Sequence, residues 1–223
     1  MTKKLIEIYE KKIDSIKNNK NTISIFLVGS SKNKFNENKL DDIKDIDIFI
    51  ICNQSENQIR LNETIDDLDF DINKFSIQYV NKLIKDKEYF FINEMKDAKV
   101  LYDTGNIGSE FVFLSKKVYD DGPNKVSKDE IVVMRNTIYD NISRLRKKDK
   151  FENFEYEFLT NMYVKDIIKG YFVLNCRWMP KYKKLFKYLK ENDKNLFELL
   201  KNIYTDYKYE NIKKLYDYVF DSI

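Results

Sequence analysis

The chain has 223 residues, 43% of them apolar and 15% aromatic, with 40 basic side chains against 37 acidic ones. That is enough apolar material for a real core in one large domain or two small ones, and too little net charge, +3, for a disordered chain. Histidine is absent, which excludes Ser-His-Asp hydrolases, Cys-His proteases, His-ligated zinc and imidazole-dependent nucleases. Chemistry is left to carboxylates, hydroxyls, lysines or a hard metal ion.

In chain order, Leu5, Ile6, Ile8, Tyr9, Ile13 and Ile16 fall near helical spacing and predict an amphipathic helix over 5–16. Residues 24–28 (SIFLV) read as a buried strand stopped by a tight turn at Gly29. A polar stretch, 30–44, follows as a long loop. Residues 45–52 (DIDIFIIC) are the strongest strand in the chain, being β-branched and aromatic. Residues 55–66 read as helix and 70–75 as a weaker strand. A helix over 76–85 opens on Ser76 as N-cap, and 99–102 (KVLY) is a last short strand.

The run Asp120-Asp121-Gly122-Pro123-Asn124 is the clearest linker, and strand signals stop beyond it. Ser127 with Glu130 forms a capping box that opens a helix to about residue 148. Further helices are expected over 152–175, 181–191, 193–204 and 210–220. The expected fold class is α+β: a small mixed sheet with flanking helices over 1–122, then an all-helical bundle over 123–223.

Cys52 and Cys176 lack CxxC spacing and read as two buried thiols of a reducing compartment. The first 20 residues are too charged for a signal peptide, and no apolar run nears the roughly 20 residues that span a bilayer. A cytoplasmic location and no membrane partner are expected.

Asp45 and Asp47 lie two apart on a predicted strand, so both leave one face while Ile46, Ile48 and Ile50 fill the other. Paired carboxylates repel unless a cation sits between them. Mg²⁺ suits such oxygens and is commonly completed by substrate phosphates. The turn Gly29-Ser30-Ser31 offers amides and hydroxyls to a phosphate. Solvated strand-edge acids are the plain alternative. A dehalogenase-type phosphatase would need Thr where Phe49 stands, and a DxD glycosyltransferase normally has a longer segment before the motif.

Val28-Gly29-Ser30, fourteen intervening residues, then Asp45-Ile46-Asp47-Ile48 resembles the nucleotidyltransferase superfamily typified by DNA polymerase β and the antibiotic nucleotidyltransferases. The spacer is slightly long, and Lys44 stands where a small residue is common. Asp69-Phe70-Asp71-Ile72 resembles the segment that supplies the family's third carboxylate, giving Asp71 that role with Asp69 as runner-up. Residues 98–103 (AKVLYD) resemble the closing strand, where Asp103 reads as structural. Residues 171–183 (YFVLNCRWMPKYK) resemble a helix end in helical domains appended to bacterial nucleotidyltransferases. There Arg177 or Lys183 is expected to pair with triphosphate and Trp178 or Tyr182 to stack on a ring; a packed helix terminus reads equally well.

The resemblance implies a Mg²⁺-dependent enzyme that moves a nucleotidyl group, with AMP from ATP the expected case, to a hydroxyl of a small-molecule acceptor such as an antibiotic. Asp45 and Asp47 would hold Mg²⁺, and Asp71 a second ion or the acceptor's proton. Gly29, Ser30 and Ser31 would hold the β/γ-phosphates. The alternatives are a toxin-like enzyme acting on tRNA or protein, and an idle nucleotide-binding regulator. Nucleic acid is not favoured, because charges nearly balance and the one dense basic run, residues 144–148, sits at a helix end.

Overall fold

A computed structural model describes residues 2–36 and 43–221. The chain divides into two compact units, Met1–Asp121 and Gly122–Ile223.

The first unit is a five-stranded mixed sheet flanked by helices. Helix α1 (Thr2–Lys17) precedes β1 (Thr22–Val28), α2 (Gly29–Asn36) and β2 (Asp45–Cys52). A hairpin of β3 (Gln58–Ile65) and β4 (Leu68–Ser76) leads to α3 (Ile77–Lys85), α4 (Tyr89–Met95), β5 (Lys99–Asp103) and α5 (Ile107–Asp121). The strands lie in the order β3-β4-β2-β1-β5, with β2 and β4 parallel and the other neighbours antiparallel.

Alternation sorts the two faces. Ile46, Ile48 and Ile50 of β2 join Phe70 and Ile72 of β4 in a core that packs against Leu5, Ile8, Tyr9 and Ile13 of α1. Phe49, Ile51 and Phe75 face the opposite way into a second core with Val80 and Leu83 of α3 and Phe91 of α4. Each such side chain contributes roughly 1.5–3 kcal/mol by leaving water, and a slip of one residue in β2 would carry Asp45 and Asp47 over to the face that packs on α1.

Three local expectations need correction. Residues 55–66 are not a helix: QIRLNETI forms the edge strand β3 in a half-buried, half-exposed alternation. The hairpin is closed by Asp66 and Asp67, both at positive φ (48° and 64°), between the paired Ile65 and Leu68. This is the two-residue turn geometry that matches strand twist. Residues 30–36, read as loop, are α2, and residues 37–42 of that stretch lie outside the described ones. Cys52 is buried but Cys176 is exposed, and both are free thiols.

The second unit is all helical: α6 (Lys128–Arg144), a short 3₁₀ turn (Lys148–Lys150), α7 (Asn153–Leu174), α8 (Tyr182–Asn192), α9 (Lys194–Asp206) and α10 (Tyr209–Phe220). The Ser127–Glu130 capping box opens α6 as expected. Val164, Ile167 and Phe172 of α7 pack with Leu200 and Ile203 of α9 and Leu215 and Phe220 of α10. Gly170 lets the Phe220 ring approach, since a Cβ there would lie 2.5 Å from its Cζ. Among the described residues no helix is long and apolar enough to cross a membrane.

Candidate functional site

Strand pairing assembles the carboxylates of the first unit. In the parallel β2·β4 ladder Asp45 pairs with Asp69 and Asp47 with Asp71, so four acids line one face at the start of both strands. Farther along the same face Phe49, Ile51 and Phe75 are buried. The acids therefore mark the open end of an otherwise apolar layer.

Val28, the last residue of β1, pairs with Asp47. Gly29 follows at φ +69°, and a Cβ built there would lie 2.0 Å from Asp47 Oδ2. No side-chain-bearing residue fits, on two counts: the backbone is left-handed, and the carboxylate fills the space. The glycine thus seats Asp47 against the first turn of α2.

The rest of that turn is tied down in part by Lys32, Glu94 and Asp97, which the sequence does not single out. The Gly29 N–H donates to Glu94 Oε2 of α4 at 3.1 Å. Ser31 is fully buried, and its hydroxyl donates to the Val28 carbonyl at 3.2 Å. Lys32, 7% exposed, places its ammonium on Asp97, 2.7 Å from Oδ1 and 2.8 Å from the backbone carbonyl. Ser30 is the exposed hydroxyl of the turn.

Asp71 is gripped from the edge strand. Arg60 donates through Nε to Oδ1 at 3.0 Å and through Nη2 to Oδ2 at 2.6 Å. Asn73 Nδ2 adds a bond to Oδ1 at 3.1 Å. The hydrogen bonds to Asp71 and then its charge hold the Arg60 guanidinium above its ordinary pKa; desolvation opposes them, and the charge of Asp47 adds a lesser upward push. Oδ2, with one partner, keeps a lone pair for a further ligand or proton. Asp69 accepts from Thr64 Oγ1 at 2.6 Å. Among the described residues no three His, Cys, Asp or Glu side chains converge as a ready metal cluster.

Asp103 closes the sheet as a capping group. Its carboxylate accepts from the Gly108 and Ser109 amides at 2.8 and 2.9 Å and from the Ser24 and Ser109 hydroxyls at 2.8 Å each. Burial alone would raise its pKa; the four hydrogen bonds outweigh that and bring it below the usual carboxylate range.

Arg177 and Lys183 belong to the helical unit, both exposed. The unusual string around them is a helix stop. Arg177 N–H donates to the Phe172 carbonyl at 2.9 Å and Cys176 N–H to Val173 at 3.1 Å, with Cys176 at φ +48°. This is the double bond of a Schellman end, with cysteine in the left-handed place glycine usually fills. Lys183 lies in the first turn of α8.

What signal could have found the missed residues is limited. The alternation Ile59, Leu61, Ile65 marks β3, and once β3 is a strand beside β4, Arg60 lies within reach of Asp71. Glu94 and Asp97 are 65 residues from their partners and leave no local trace.

No protein-family model matches the chain, and no curated protein matches it. Among solved structures it is similar to a nucleotidyltransferase-like protein from Exiguobacterium sibiricum 255-15, at 9% identity and a TM-score of 0.49, over 95% of this chain and 72% of that one.

Proposed function

We propose that the first unit is a Mg²⁺-dependent nucleotidyltransferase that moves NMP, with AMP from ATP the expected case, to a hydroxyl of a small-molecule acceptor. The observation that carries this reading is Asp47 seated against Gly29, with Asp45 two residues before it and Asp71 in register across the ladder. The donors are all oxygens, which fits a hard divalent ion, and Gly29 leaves the carboxylate room that a side chain would take.

In this reading Asp45 and Asp47 hold the ion, which when bound offsets charge on the phosphates and the departing pyrophosphate. Ser30 and the amides opening α2 orient the β/γ-phosphates, favoured by the positive end of the helix. The Gly29 amide joins them once Glu94 yields it. Asp71 receives the acceptor's proton, or a second ion, through the open position on Oδ2. Arg60 fixes the orientation of that carboxylate. Arg177 and Lys183 are proposed as triphosphate cations on the strength of the sequence motif alone. Transfer of label from α-labelled NTP to small-molecule acceptors, compared between wild type and Asp47→Ala, tests the proposal.

A second reading is a nucleotide-binding module without transfer. The Arg60–Asp71 pair favours it, because a guanidinium already supplies the positive charge that a second ion would bring.

A further inference from the structure

The helical unit contains a cavity of about 350 Å³ between α7, α8 and α9, within the range of small-molecule sites. Its floor is apolar: Val164, Ile168 and Leu200 are each 2% exposed or less. Its rim is aromatic. Tyr182, Phe186 and Tyr204 stand there 41–55% exposed, with Phe186 and Tyr204 edge-to-face at 6.3 Å. Three large rings grouped around an apolar floor make a contiguous apolar patch, the kind of surface that marks a ligand site.

One charge lines the cavity. Lys165 of α7 lies with Nζ 5.3 Å from the centre of the Tyr182 ring. Among the described residues no carboxylate pairs with Lys165. Burial pushes the Tyr204 hydroxyl up from its ordinary pKa, with the nearby Tyr207 adding to the rise. The wall is therefore of low polarity, and among the described residues that line the cavity the formal charge is that of Lys165.

We infer that this cavity is a binding site for a small planar aromatic molecule carrying a single acidic group. The ring would enter between Tyr182, Phe186 and Tyr204, where offset or edge-on contacts add to the burial of its faces. The acid would meet the Lys165 ammonium at the rim. A flexible aliphatic acid would satisfy the lysine but forfeit the ring contacts. The inference concerns the helical unit by itself and does not depend on nucleotidyl transfer by the first unit.

Isothermal titration of the full chain with 2-naphthoate, 2-naphthylmethanol and dodecanoate tests it. Saturable 1:1 binding of 2-naphthoate, tighter than dodecanoate, is expected. Lys165→Gln should weaken 2-naphthoate about fivefold and leave the uncharged alcohol unchanged. Phe186→Ala should weaken both naphthalene compounds; both replaced side chains are solvent-exposed, and thermal melts confirm that the variants are folded. Absence of saturable 2-naphthoate binding, tighter binding of dodecanoate, or a Lys165→Gln protein that binds 2-naphthoate as wild type would overturn the assignment.

Discussion

Arg60, on the edge strand β3, clasps both carboxylate oxygens of Asp71, on β4, at 3.0 and 2.6 Å, while Asp47 adds to the field that holds it charged. The guanidinium is thus an internal cation beside the acids that would receive a metal. Removing it should strengthen the pull of those acids on divalent ions. Arg60→Ala is expected to tighten Mn²⁺ binding in the absence of nucleotide about three- to tenfold, a modest factor because Arg60 is exposed and screened. Electron paramagnetic resonance of free Mn²⁺ measures it, and unchanged or weaker binding would separate Arg60 from the metal-binding acids.

Gly29 gives a sharper test of the turn. Gly29→Ala must adopt φ +69° and displace the Asp47 carboxylate. The variant should lose about 1–2 kcal/mol of stability from the backbone alone. Transfer activity should fall by at least about 100-fold, because misplacing a reacting group by an ångström costs that much. A thermal melt and a label-transfer assay separate the two effects. Full activity in a folded Gly29→Ala protein would detach Asp47 from the chemistry.

Asp103 sets a pH dependence. Its native pKa is depressed by four hydrogen bonds, so its stabilisation is present above the unfolded carboxylate value of about 3.9 and fades as pH falls through the lower native value. Asp103→Asn should cost about 1–2 kcal/mol at pH 7, discounted for partial exposure. The gap from wild type should close toward pH 3 in urea denaturation. A gap that stays constant across that range would assign the loss to packing instead.

Cys176 holds a left-handed conformation at the end of α7, with φ +48°. Glycine adopts that region without the Cβ penalty of about 1–2 kcal/mol. Cys176→Gly should therefore stabilise the chain, by about 1 kcal/mol once glycine's greater unfolded-state entropy is set against the relief. A lower melting temperature would contradict the helix-stop description.

Much of the fold was legible because its elements announce themselves locally. Residues 48–52 are apolar on both faces, as a central strand with two apolar layers requires, and Ser76 caps α3 through the Tyr79 amide at 3.2 Å. The strand β3 was not legible as such. It sits at the sheet edge, so only Ile59, Leu61 and Ile65 carry the apolar half of the alternation, and Glu63 interrupts it. Asp45, Asp47 and Gly29 could be named from motif spacing, and Asp71 from the resemblance of residues 69–72 to a family segment. Their wiring could not, because the Arg60–Asp71 clasp and the Glu94–Gly29 bond depend on which strands and helices become neighbours in space.

We propose that Asp45 and Asp47, backed by Gly29, perform nucleotidyl transfer to a small hydroxyl acceptor. The most direct measurement supplies the purified chain with each α-labelled NTP, Mg²⁺ and, in separate reactions, a small-molecule extract, tRNA and aminoglycosides. Label on a small hydroxylated product is expected, with pyrophosphate release in equal amount and loss of both in Asp45→Ala and Asp47→Ala proteins that remain folded. Label that never leaves the NTP, that arrives on RNA, or that transfers at near wild-type rate without Asp47 would contradict it.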